Sequence, residues 1–133
     1  MANMPLTQDS IFLYAAPGAG KTLFATGSQK RRTFYFNVEN GYKTILTWPG
    51  DPEGLYPRCR TDLIHSTPTI KTLNHWLDAW QYLCNNYQNY EVVVIDTATE
   101  LAKVFMADQL QKRGKAMAEQ SDWGIVLQRL EWF

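Results

Sequence analysis

Ile11-Phe12-Leu13-Tyr14-Ala15-Ala16-Pro17-Gly18-Ala19-Gly20-Lys21-Thr22 is the stretch on which the fold turns. Four apolar or aromatic residues run into a turn of small residues. The turn ends in Gly20-Lys21-Thr22, and Leu23-Phe24-Ala25-Thr26 reads on as a helix. A strand, a small-residue loop and a helix in that order are what a phosphate-binding loop requires. Small residues let backbone N–H groups close around phosphate oxygens, and the helix N-terminus adds partial positive charge. On this reading Ala16, Pro17, Gly18, Ala19, Gly20, Lys21, Thr22 and Leu23 form the cradle for a nucleotide. Lys21 reaches the β- and γ-phosphates of ATP, and the Thr22 hydroxyl holds Mg²⁺. The pattern G-x-x-x-x-G-K-[ST] asks for glycine where the chain has Ala15. Alanine is small, so the turn is expected to survive.

The bulk properties set the frame. The 133 residues suffice for one modest domain, and 1–133 is read as one. Hydrophobic residues make up 45%, enough for a core and too many for a disordered chain. Formal net charge is zero, so a nucleic-acid partner does not follow from bulk electrostatics. Cys59 and Cys84 lie far apart with no metal-ligand spacing and read as thiols of a reducing compartment. Met1 to Ser10 lacks the charged and apolar regions of a signal peptide, and no apolar run approaches the roughly 20 residues of a membrane span. The expected location is the cytoplasm, that of the host if a phage encodes the chain.

Strand and helix signals alternate along the rest. Gln29 to Arg32 is a basic turn, and Thr33 to Val38 is an aromatic and β-branched strand ending at Glu39-Asn40-Gly41. Tyr42 to Trp48 fits a short helix, and Pro49 to Gly54 is turn chemistry. Thr61 to His65 is a short strand. Leu73, Trp76, Leu77, Trp80 and Leu83 recur at three- and four-residue steps, which predicts an amphipathic helix over 70–87 with Thr67 or Thr69 as cap. Val92-Val93-Val94-Ile95 is an unbroken run of the kind buried on both faces of a parallel sheet. A long helix is expected over 100–118, broken near Gly114, and a last one over 122–133 capped by Ser121. Alternation of this kind implies βαβ units in a three-layer α/β fold with a mostly parallel sheet.

Asp96 ends the Val92–Ile95 run, where ligands bind in open α/β sheets. A carboxylate there can hold Mg²⁺ opposite Thr22, or else it caps the next helix. Glu39 follows the Thr33–Val38 strand, which should open onto the same sheet edge, and is the candidate catalytic base for the water attacking the γ-phosphate, or else a solvated loop carboxylate. Glu100 is a rival base that fits better in a helix first turn, where the dipole favours it. His65 and His75 show no ligand spacing. Trp76 and Trp80 are read as core, and Lys112-Arg113-Gly114-Lys115 as a solvated helix end rather than a phosphate-backbone contact.

Taken together, the residues from Ala15 to Thr22, then Phe36-Asn37-Val38-Glu39-Asn40-Gly41, then Val92 to Leu101, resemble phage-encoded RecA-like P-loop nucleotide-binding proteins, among them ATPases of recombination and single-strand annealing. Ser121-Asp122-Trp123-Gly124 is similar to a segment such proteins carry after the long helix. The resemblance runs from Ile11 to Trp132. It implies ATP and Mg²⁺ as cofactors, Glu39 and Lys21 as catalytic residues, Asp96 as the Walker-B aspartate, single-stranded DNA as a partner, and a homo-oligomer. It also implies a further strand, placed between the P-loop strand and the Asp96 strand. No candidate for it follows Asp96, so the RecA-like core is expected to be incomplete at the C-terminus. Trp123, Ile125, Val126, Leu127, Leu130, Trp132 and Phe133 form an apolar end expected to promote association. Two alternatives stand beside this reading. One is a nucleotide-binding assembly module that does not turn over alone. The other is a small P-loop kinase, against which the lack of clustered arginines after the long helix speaks.

Overall fold

The computed structural model describes residues 11–16, 18–27, 31–50 and 60–131. Helices α1 (Lys21–Gly27) and α2 (Tyr42–Thr47) flank strand β1 (Thr33–Asn37) in sequence. A 3₁₀ turn at Thr61–Leu63 leads into β2 (Ile64–Ser66). Helix α3 (Leu73–Asn86), a second 3₁₀ turn (Tyr87–Asn89) and β3 (Val92–Asp96) follow, then α4 (Ala98–Arg113) and α5 (Gln120–Glu131). The three strands form one parallel sheet in the order β2-β1-β3. Thr33 pairs with Ile64 on one side and Val92 on the other, and Asn37 pairs with Asp96. Parallel neighbours require crossover connections, which α2 and α3 supply. This is the α/β fold of the alternating pattern, with the sheet's C-terminal edge gathering Asn37 and Asp96.

Packing follows the two-residue period of β1. Phe34 and Phe36 point into the larger core with Trp76, Leu83, Leu101, Phe105 and Val126, beneath α3, α4 and α5. Tyr35 points the other way, into a smaller cluster with Ile45 and Ile64, flanked by Leu23 and Tyr42. Helices therefore cover both faces of β1, and every residue of the strand is buried. The Trp76 ring lies 4.5 Å from Phe36 and 5.9 Å from Trp80, so Trp76 is core and Trp80 packs against it.

Several sequence expectations are corrected. Ile11 to Tyr14 is not a strand; Ile11, Phe12 and Tyr14 are exposed. A strand exists through its ladder, and among the described residues nothing pairs with this one. For the same reason Val92–Ile95 is not buried on both faces. Among the described residues β3 pairs with β1 alone, and Val93 is half exposed. The predicted strand over 61–65 begins only at Ile64. Helix α3 is capped by Thr72, whose hydroxyl accepts from the His75 N–H at 3.3 Å, not by Thr67 or Thr69. The Thr67 hydroxyl instead accepts the Asn37 N–H at 3.1 Å, at the end of β1. Helix α4 ends at Arg113, where Gly114 takes a left-handed conformation (φ 65°) that closes the C-terminus. Ser121 lies inside α5; Asp122 does the capping, accepting from the Glu119 N–H at 2.8 Å. Of the stretches read as turns, residues 29–30 and 51–54 lie outside the described residues, as do residues 1–10, Pro17, Cys59, Trp132 and Phe133.

Candidate functional site

The loop before α1 is shaped by two glycines with positive φ, Gly18 (78°) and Gly20 (90°). L-residues with side chains avoid that region, so these two positions require glycine. Ala15 is not among the positive-φ residues, so its methyl group costs the turn nothing. The Lys21 ammonium folds back across the loop, donating to the Ala15 carbonyl at 2.7 Å and the Ala16 carbonyl at 3.2 Å. These are exposed bonds made by the chain to itself, and water or a ligand oxygen can replace them.

Opposite the loop stands Asp96, at the end of β3 and only 7% exposed. The Thr22 hydroxyl donates to its Oδ2 at 2.7 Å, across 74 residues of sequence. The Tyr35 hydroxyl donates to the same oxygen at 2.5 Å. A buried carboxylate needs such partners. Burial and then the Asp96 carboxylate push the Tyr35 hydroxyl far above the ordinary phenol range, so it stays a proton donor. The Asp96–Thr97 peptide is cis. The α4 cap is Thr97, whose hydroxyl accepts the Glu100 N–H at 3.2 Å; Asp96 is not the cap.

Glu39 reaches the same edge through the backbone. The Val38 and Glu39 N–H groups both donate to the Asp96 carbonyl at 3.0 Å, which ties the segment after β1 to the end of β3. The Glu39 side chain is exposed. Asn40 then turns with φ 60°, a conformation asparagine tolerates, and brings Gly41 back over the carboxylate. A Cβ on Gly41 would lie 2.5 Å from Asp96 Oδ2 and 2.7 Å from the Tyr35 hydroxyl. Gly41 is thus kept bare by close approach.

The fold therefore brings Thr22 and Asp96 into contact, with Lys21 beside Thr22 and Glu39 held at the end of β3. Glu100 sits in the first turn of α4 and pairs with Lys103 at 2.6 Å. His65 stacks on Phe34 and Tyr82, and His75 accepts the Lys71 N–H. Lys112, Arg113 and Lys115 are paired with Asp108, Asp122 and Glu119. Two neighbours of the site, Tyr35 and Gly41, escaped the sequence reading. Parity in the sequence supplies half of the signal, and the register of the sheet supplies the rest. Tyr35 and Asn37 share a strand face, and Asn37 pairs with Asp96, so Tyr35 had to face the carboxylate's side.

The family model described as an AAA domain matches residues 7–133. The chain belongs to the AAA domain family. No curated protein and no solved structure matches it. As an AAA domain it is of a nucleotide-binding type, and its parallel sheet and glycine-shaped loop agree with that class. Among the described residues no helix is long and apolar enough to cross a membrane. Nor do they hold a group of three or more His, Cys, Asp or Glu placed to bind a metal ion. One carboxylate and one hydroxyl suit Mg²⁺, which takes oxygen ligands, keeps several waters and is completed by phosphate oxygens.

Proposed function

We propose that this AAA domain binds ATP with Mg²⁺ and hydrolyses it, as a RecA-like ATPase of phage type acting in DNA recombination or single-strand annealing. The observation that carries the nucleotide reading is the Thr22–Asp96 hydrogen bond at the mouth of a glycine-shaped loop. Two oxygens suited to a hard cation meet beside a lysine held only by exposed carbonyls. In the proposed cycle residues 16–23 wrap the phosphates. Lys21 exchanges the Ala15 and Ala16 carbonyls for the β- and γ-phosphate oxygens. Thr22 and Asp96 would hold Mg²⁺, which would supply positive charge against the phosphates. Glu39 takes a proton from the water that attacks the γ-phosphorus; the bond to the bridging oxygen breaks, and ADP and phosphate leave.

Single-stranded DNA as partner and a homo-oligomeric state belong to the same proposal. The motif order supports the first. Exposed Trp123, Ile125 and Leu127 on α5 support the second. The test is ATP hydrolysis with and without single-stranded DNA, alongside sedimentation. Hydrolysis stimulated by DNA is the expected result. Binding without turnover would select a non-hydrolysing assembly module, and phosphate transfer to an added acceptor would select a kinase.

A further inference from the structure

Asp96 Oδ2 receives two hydroxyls, and they differ in what holds them. Thr22 lies at the start of α1, partly exposed, and lines the same groove as Lys21. Tyr35 is fully buried in the middle of β1, its ring 5.9 Å from Tyr42 and packed with Ile45 and Ile64. If Thr22 turns its oxygen to a cation, as the proposed function has it, its bond to Asp96 is subject to exchange. The Tyr35 bond comes from a ring fixed in the core. Gly41 completes the arrangement, because any side chain there would drive into the point where the phenol and the carboxylate meet.

We infer that Tyr35, in the space kept open by Gly41, is a positioning residue that fixes the Asp96 carboxylate in the orientation in which it would hold Mg²⁺. The inference rests on the nucleotide reading above and adds to it a residue that touches neither phosphate nor metal. Partners of this kind orient a ligating carboxylate and tune the affinity of the site for its ion. The ring of Tyr35 is a separate matter, since it fills the smaller core. Phenylalanine at this position keeps the ring and removes only the hydroxyl.

The experiment is a titration of the full chain with a fluorescent ATP analogue, once in chelator and once across a Mg²⁺ series. For Tyr35→Phe the affinity in chelator should be unchanged, while the Mg²⁺ concentration needed for half the gain in affinity should rise about tenfold or more. Gly41→Ala should shift the Mg²⁺ series in the same direction, by crowding the carboxylate from the loop side. A packing role alone would not separate the two titrations. A folded Tyr35→Phe chain with an unshifted Mg²⁺ series, or with equal losses in chelator and Mg²⁺, overturns the inference. Should Tyr35→Phe not fold, an unshifted Gly41→Ala does so instead. A wild-type chain whose ATP affinity ignores Mg²⁺ overturns the nucleotide reading and this inference together. Mg²⁺-dependent wild-type binding with unshifted variants overturns this inference alone.

Discussion

Thr33–Asn37 and Ile11–Tyr14 are both short runs dominated by aromatic and branched apolar residues, and both lead to the same site. Phe34, Tyr35 and Phe36 are wholly buried, whereas Ile11, Phe12 and Tyr14 are 78%, 80% and 91% exposed. Intrinsic preference cannot explain the difference, because both segments favour a strand. Neighbours explain it. β1 has a ladder on each edge and helices over each face. Residues 11–13 face the far edge of β3 across a groove of about 250 Å³, and among the described residues no strand fills it. The site is therefore built from unequal halves. Asp96 and Tyr35 belong to a packed wall. Lys21 and the loop hang from an unpaired arm.

The largest expected effect separates those halves directly. Phe36→Ala should destabilise the chain by about 3–5 kcal/mol, the usual cost of emptying a buried phenylalanine site. Phe12→Ala should stay within about 0.5 kcal/mol, as exposed substitutions do. Denaturant unfolding of both variants measures the contrast; equal losses would mean that the 11–14 segment is packed after all.

Next in size is Lys21→Ala. Losing the cation proposed to bond two phosphate groups, at about 1.5–3 kcal/mol each, should lower ATP affinity by roughly two orders of magnitude or more. Its loop-carbonyl bonds are exposed, so unfolding should barely change. Unchanged ATP affinity would remove the loop from the account.

Glu39→Gln should leave ATP affinity intact and reduce turnover by about 10²–10⁴-fold, the usual contribution of a general base. Glu100→Gln should leave turnover intact, because that carboxylate sits in the α4 first turn against Lys103. Normal hydrolysis by the first variant and loss in the second would exchange their roles.

How much of this was legible depended on whether a feature is local. The β1 and β3 strands, α2 and α3 all carry local patterns, and so do the proposed site residues Lys21, Thr22 and Asp96. The status of Ile11–Tyr14 does not, since pairing is decided by distant residues. The cap at Thr72 was missed because three threonines precede α3, and the hydroxyl used is the one nearest the first turn. Tyr35 was missed because an aromatic residue in a strand reads as core. It is core, and only register shows that its hydroxyl also meets Asp96.

A smaller effect is expected far from the site. Asp122 is held below the usual carboxylate range by the Glu119 N–H and then by the Arg113 guanidinium, which joins it to the end of α4. A depressed value means that the stabilisation is present above the unfolded pKa of about 3.9 and is lost as pH falls through the folded value. Amide exchange should therefore show α5 loosening from α4 below about pH 4 while β1 stays protected. Asp122→Asn should loosen α5 already at neutral pH. Loss of α5 and β1 protection together would mean that this contact is not a separate local element.

The claim on which everything else rests is that the unpaired loop and the packed wall make one Mg²⁺–ATP site. ATP affinity of the chain and of Asp96→Asn, each measured in chelator and in Mg²⁺, tests it most directly. The account predicts that both bind alike in chelator, and that Mg²⁺ strengthens binding to the wild-type chain and much less to Asp96→Asn. An equal gain from Mg²⁺ in both would contradict it.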